Sequence, residues 1–157
     1  MAVVRLRPGL AGDLGWVLQQ AARGAWEQLT PWERRAAEFP TIARRVEAMA
    51  RMALAQPGGG FLVAESGGQP LGYALYYLQP NPFTGTPEGV LADLHVVEGA
   101  RRRGVAGALL RSAEEHLRGQ GALGCAAVVA LHQQPALRLL TGAGYWPERA
   151  LVTRPFG

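Results

Sequence analysis

The sequence predicts an α/β domain built on a mixed sheet, and three observations predict it. Helix-like and strand-like segments alternate along the whole chain. A strand–helix–strand run from Val90 to Leu131 calls for a parallel pair joined by a right-handed crossover. Turn-separated strands ahead of it call for antiparallel pairing. With 157 residues, 48% hydrophobic and 18% charged, the chain can bury one sizeable core, and its balance is not that of a disordered segment. No repeat, low-complexity tract or linker divides it, so residues 1–157 read as one domain.

Val3–Arg7 alternates as a first strand, ended by Pro8-Gly9. Asp13 then caps a helix with Leu14, Val17, Leu18 and Ala21 at helical spacing. Residues 24–40 are broken by Pro31 and carry Trp26, Trp32 and Phe39. A second helix starts near Thr41, with Ile42, Val46, Met49, Ala50 and Ala53 on one face, and Pro57-Gly58-Gly59-Gly60 stops it. Phe61–Glu65, a turn at Ser66-Gly67-Gly68-Gln69, and Leu71–Leu78 form a hairpin. Pro80, Pro82 and Pro87 mark an irregular loop before a fourth strand, Val90–Val97. From Gly104, apolar residues recur every three or four positions through Leu117, an amphipathic helix ending near Gly119–Gly121. Gly124–Leu131 is a nearly continuous apolar run, read as a strand buried on both faces. Pro135 opens a short helix, and Arg149–Thr153 reads as a last strand.

Composition narrows the function classes. No apolar run reaches the roughly 18–20 residues of a membrane span, and the opening Met-Ala-Val-Val-Arg-Leu-Arg lacks a signal peptide's apolar stretch. The single cysteine, Cys125, excludes an internal disulfide, so a cytoplasmic protein is expected. All sixteen basic residues are arginine and the net charge is +4. That suits an anionic partner, whether nucleic acid or a small phosphorylated ligand, and also suits a merely solvated surface. Nucleic acid is disfavoured because no aromatic residues interleave Arg101, Arg102 and Arg103. Three scattered histidines have no metal-ligand spacing, and no nucleophilic triad is supported.

The chemistry concentrates at Arg101–Gly107. A strand, a short loop and a glycine-bearing helix start present unpartnered N–H groups and the positive end of the helix dipole. Gly104, Ala106 and Gly107 keep the approach to the backbone open, and Arg101–Arg103 add positive charge. A Walker loop is excluded because the chain has no lysine, and no Gly-x-Gly-x-x-Gly occurs at this turn.

Arg101-x-x-Gly104-x-Ala106, preceded by Leu94-His95-Val96 and followed by Ala108-Leu109-Leu110, resembles the acetyl-CoA signature of the GNAT superfamily of N-acetyltransferases. Leu6-Arg7-Pro8 with Asp13, Gly72–Tyr77, and Ala136–Tyr145 with its Gly144-Tyr145 ending extend the resemblance along almost the whole chain. Asn81-Pro82-Phe83-Thr84-Gly85 with Leu91–Val96 is similar to the branch containing polyamine and diamine acetyltransferases. The resemblance implies a twisted mixed sheet with a splay between the fourth and fifth strands. It implies acetyl-CoA held by main-chain groups of Leu94, His95 and Val96 along the pantetheine, and by N–H groups from Arg102 through Val105 and Ala106 to Gly107 at the pyrophosphate. Gln133 stands where the family's leading helical asparagine stands. A strand N–H at Val96 is placed to stabilise an oxyanion. The acceptor, a small-molecule amine or amino-acid derivative, is expected between the first helices, where Trp26, Glu27, Trp32 and Glu33 lie; the tryptophans either face it or simply pack under the helices.

Two of the family's catalytic positions differ. The tyrosine that often protonates the leaving thiolate is Leu140, and the branch's Glu-Asp pair is Ala92-Asp93. Asp93 is the surviving carboxylate, as base, as anchor for the amine, or as a purely structural aspartate. Strand alternation sets it on the face of His95 and opposite Ala92. His132 is a candidate proton donor, against a structural role; Tyr76 and Tyr77 sit on adjacent faces; Cys125 belongs to the core. The departures leave open a second reading, a module that binds acetyl-CoA without efficient turnover. The twelve residues after Tyr145 hold one closing strand rather than two, which leaves a sheet edge open or completed by a second copy in a homodimer.

Overall fold

The computed structural model describes residues 3–157. In chain order it contains β1 (Arg5–Pro8), α1 (Leu14–Gln28), α2 (Pro31–Ala36), α3 (Phe39–Ala55), β2 (Gly60–Ser66), β3 (Gln69–Pro80), β4 (Pro87–Val96), α4 (Val105–Gly119), β5 (Cys125–Ala126) and α5 (Gln134–Gly142). The sheet runs β1-β2-β3-β4-β5. The first four strands are antiparallel neighbours, and β4–β5 is the parallel pair that the crossover through α4 requires. Gly67 and Gly68, at φ of 57° and 77°, make the two-residue turn between β2 and β3, the mirror-image type whose twist matches the strands.

The sheet separates two cores. On one face Val17 and Ala21 of α1 and Val46 of α3 pack on Tyr73, with Ala50 and Ala53 on Leu75 beside them. On the other, Val105, Leu109, Leu110, Ala113 and Leu117 of α4 cover Leu62, Ala74, Tyr76 and Leu91. Period-two alternation in β3 sends Tyr73 and Leu75 one way and Ala74 and Tyr76 the other. Gly72 is required where β3 lies tight against β4 under Leu109 of α4. A Cβ there would lie 2.6 Å from the His95 carbonyl oxygen of β4 and 3.2 Å from Leu109. Gly72→Ala is therefore expected to cost about 1–3 kcal/mol, seen as a lower denaturant midpoint at unchanged slope.

Three expectations are corrected. Pro31 does not merely break the chain. It opens α2, and Pro40 lies in the first turn of α3, which begins before Thr41; proline is tolerated there because its missing N–H has no helical partner anyway. The run Gly124–Leu131 is not a strand buried on both faces, since only Cys125 and Ala126 pair. Cys125, Ala127 and Val129 pack toward the α4 core, whereas Val128 is 94% and Leu131 81% exposed. An unbroken apolar run cannot announce that one of its faces has no cover. Arg149–Thr153 forms no strand, and Leu151 and Val152 stand about nine-tenths exposed. The cause is the same: a β5 of two residues offers almost no edge to pair with.

Candidate active site

The site is built on β4, and one irregularity in that strand sets its chemistry. Leu75 pairs with Asp93 and Tyr76 with Leu91, so Ala92 has no partner and forms a bulge. As a result Leu91 and Leu94, three residues apart, both face the α4 core. Ala92 and Asp93 then line the same cleft on the opposite face. This overturns the expectation that alternation places Asp93 opposite Ala92 and away from an acceptor on the Ala92 side.

The cleft has a volume of about 180 Å³ and lies between α1, α3 and the sheet, lined by Ala21, Ala25, Gln28, Val46, Met49, Ala50, Leu75, Ala92 and Asp93. A second hollow, of about 200 Å³, lies at the far end of the β3–β4 hairpin among Pro57, Leu78, Gln79, Pro80, Gly85 and Pro87. Its lining contains no titratable side chain, whereas that of the first contains Asp93.

Within the cleft Asp93 is held by the hydroxyl of Tyr73, which donates to Oδ2. Burial pushes the Asp93 carboxyl above the ordinary carboxylate range, against hydrogen bonds from Tyr73 and from the Leu94 N–H that pull it down. Tyr73 is wholly buried, and burial, reinforced by the neighbouring carboxylate, raises its own pKa and keeps it a donor. His95 lies over Tyr73, ring centroids 5.8 Å apart. Burial and then Arg101 lower its pKa, with Glu27 opposing, so its imidazole is neutral at neutral pH. Tyr73 is the residue that sequence reasoning missed. Its only signal was its place in β3, on the face of Leu75.

On the other side β4 is open. Its pairing with β5 ends at Val90↔Ala126, so the edge from Leu91 onward faces the splay that the fold class implies. Register decides which groups use that edge. The Val97 N–H bonds the Leu71 oxygen, so Leu71–Val97 and, two residues on, Tyr73–His95 are the hydrogen-bonded pairs. Main-chain groups of Leu94 and Val96 therefore point into the splay, and Arg101 Nε reaches the Val96 oxygen there at 3.1 Å. His95 departs from expectation: its main-chain groups face β3.

The turn after β4 has the form of an anion cradle. Arg102, at φ 65°, is the one non-glycine with positive φ among the described residues, and Gly104 follows at φ 76°. The Ala108 N–H is bonded to the Gly104 oxygen, so helix geometry leaves those of Val105, Ala106 and Gly107 without an acceptor inside α4. A Cβ on Gly104 would meet nothing within 4 Å. Arg102 and Arg103 are exposed beside this mouth, while Arg101 ties the turn to β4. A diphosphate thus finds free N–H groups, a bare backbone and two uncommitted guanidinium groups among the described residues.

The remaining candidates lie elsewhere. His132 is not at the end of a fifth strand but in a turn, where its Nε2 and the Gln133 Nε2 each reach the Glu27 carbonyl oxygen at 3.0 Å. A carbonyl only accepts, so His132 spends its Nε2 proton tying this turn to α1. Leu140 is buried in the α4 core. Tyr76 is buried beside His116, and Tyr77 packs on the α3 core; neither lines the cleft. Trp26 packs edge-on to Phe39 at 6.1 Å and does not line it either, nor does Trp32. Burial raises the Cys125 thiol pKa, which keeps it from acting as a thiolate. No group of three or more metal-ligating side chains is present among the described residues.

Comparison with known proteins gives the same fold. The model of the acetyltransferase (GNAT) family matches residues 23–145. A Pyrococcus furiosus protein provisionally described as an acetyl transferase is 20% identical, with a TM-score of 0.84 over 98% of this chain and 100% of that one. A transcriptional regulator from Bacillus halodurans C-125 is 16% identical, with a TM-score of 0.73 over 98% and 100%. The aminoglycoside N-acetyltransferase AAC(6')-Iy, solved with CoA, is also 16% identical, with a TM-score of 0.72 over 99% and 96%. At these identities the structural likeness speaks for the fold alone. A comparison with curated protein sequences returns no match.

Proposed function

Since this chain belongs to the acetyltransferase (GNAT) family, we propose that it transfers the acetyl group of acetyl-CoA to a primary amine of a small molecule or amino-acid derivative. The observation that carries this reading lies in one strand. The free edge of β4 at Leu94 and Val96 adjoins the bulge that turns Asp93 into the cleft. Acetyl-CoA supplies an activated thioester. Main-chain carbonyls of Leu94 and Val96 hold its pantetheine, and N–H groups of Val105, Ala106 and Gly107 hold its pyrophosphate, with Arg102 and Arg103 alongside.

The acceptor amine must be neutral to attack. For an amine of lysine-like pKa, deprotonation at pH 7 costs about 4–5 kcal/mol. Asp93, whose desolvation outweighs the opposing hydrogen bond from Tyr73, is a stronger base than an exposed carboxylate and accepts that proton, directly or through water. The Val96 N–H, turned into the splay, is oriented to donate to a developing oxyanion. Leu140 cannot protonate a leaving thiolate, so that proton comes from solvent.

The second reading, a cofactor-binding module with little turnover, is favoured by Ala92 and Leu140. A thiol-release assay with saturating acetyl-CoA and a panel of amines separates the two. Release that depends on the amine is expected; tight acetyl-CoA binding with no release for any acceptor would support the module instead.

The short β5 and the uncovered tail also support a homodimer. Each copy carries an open strand edge beside exposed Val128 and an unpaired segment with exposed Leu151 and Val152, so two copies can complete one another. Light scattering is expected to give twice the chain mass, and a monomer mass would count against this arrangement. No helix among the described residues is long and apolar enough to cross a membrane, and we place the enzyme in the cytoplasm.

A further inference from the structure

We infer that the acceptor is a singly charged amine on an apolar body, of the arylalkylamine or alkylamine class, and that polycationic amines are discriminated against. This rests on the acetyl-transfer reading and concerns which amine the same cleft admits.

Charge is the first ground. Asp93 is the one titratable side chain among the lining residues, and the Tyr73 hydroxyl already takes one of its oxygens. Polar recognition otherwise falls to neutral Gln28. A polyamine or aminoglycoside carries further ammonium groups, each needing a carboxylate or water once it enters an apolar cleft. The helices contribute no carboxylate to the lining. Residues 14–55 contain six arginines (23, 34, 35, 44, 45, 51) and four glutamates (27, 33, 38, 47), a balance of +2. Two of the four glutamates are engaged: Glu47 with Arg51 at 3.0 Å, and Glu33 with the Thr30 N–H at 3.4 Å.

Shape is the second ground. Three alanines, Ala21, Ala25 and Ala50, make the room, and Val46, Met49 and Leu75 wall it. A dry apolar cavity of about 150 Å³ accommodates benzene, so about 180 Å³ accommodates a ring with a short arm leading its amine to Asp93. Met49, 59% exposed, stands at the rim as an adaptable apolar lip.

The test compares phenethylamine with spermidine and kanamycin, by thiol release at one pH and salt concentration and by calorimetric binding of each amine to the protein. Phenethylamine is expected to have at least about tenfold higher kcat/KM and the tighter binding. Ala25→Trp, which fills the cleft, should raise the phenethylamine KM by at least about tenfold while the Kd for acetyl-CoA holds. Met49→Glu, at an exposed position that does not endanger folding, should raise kcat/KM for spermidine by about fivefold. If spermidine or kanamycin is the better substrate and the tighter ligand, the inference is overturned while acetyl transfer stands. If no amine is acetylated, the acetyl-transfer reading fails instead, and binding still decides: phenethylamine tighter than spermidine upholds the selectivity, and the reverse overturns it.

Discussion

Gly104→Glu is expected to abolish measurable acetyl-CoA binding and leave the protein folded. Both halves follow from the turn. Gly104 holds φ at 76°, a left-handed conformation that costs a side-chain-bearing residue about 1–2 kcal/mol. A Cβ there would point into open space, so no packing is lost. A carboxylate at a helix N-terminus recovers about 0.3–1 kcal/mol of the strain. The same carboxylate occupies the mouth where Val105, Ala106 and Gly107 present their N–H groups, and it meets the pyrophosphate as a like charge. Gly104→Ala separates the contributions, since it keeps the strain without the charge and should weaken binding far less. Calorimetry reads the affinity, and circular dichroism with a melting curve reads the fold. Unchanged affinity in the glutamate variant would place the cofactor elsewhere.

Asp93→Asn is expected to lower kcat by about 100-fold or more, the usual scale for loss of a positioned base, with acetyl-CoA affinity retained. The acidic limb of the pH–rate profile should also be lost. In the wild type that limb reports a carboxyl held above the ordinary range by burial. The groups around it are Tyr73, kept protonated, and His95, kept neutral, with Glu27, Arg23 and Arg101 farther out. The sign for stability is the reverse of a salt-bridged aspartate. Because the folded pKa is raised, the native state binds this proton more tightly than the unfolded state does. Wild-type stability therefore falls as pH rises from about 3.9, the unfolded value, through the folded pKa. The asparagine variant escapes that loss and still accepts the Tyr73 hydroxyl. It should gain stability relative to wild type over that window while losing activity. A purely structural aspartate predicts the same stability change with an equally active variant.

The features legible in the sequence were those that leave a period or a spacing. The apolar stripes of α1, α3 and α4, the Gly67-Gly68 turn, and the succession of Leu94–Val96, Arg101, Gly104 and Ala106 each have a local physical cause and were readable as such. The acceptor side was not, because its geometry depends on one surplus residue. A bulge at Ala92 has no compositional mark, yet it reverses the face on which Asp93 lies relative to Ala92. The partner of Asp93, Tyr73, is twenty residues away and becomes a neighbour only through the β3–β4 register. The resemblance gives main-chain roles to Leu94, His95 and Val96 alike, and the same register turns those of His95 toward β3. The end of the chain failed for a different reason: the apolar run after Gly124 states that burial is wanted, not that a covering layer exists.

On the proposed reading β4 divides the two substrates, cofactor in the splay and amine in the cleft above Asp93. A crystal structure of the protein soaked with acetyl-CoA tests it most directly. The pyrophosphate is expected on the N–H groups of Val105, Ala106 and Gly107, the pantetheine paired with Leu94 and Val96, and the thioester opening toward Asp93. A pyrophosphate bound away from that turn, or a thioester facing away from the Asp93 cleft, would contradict it.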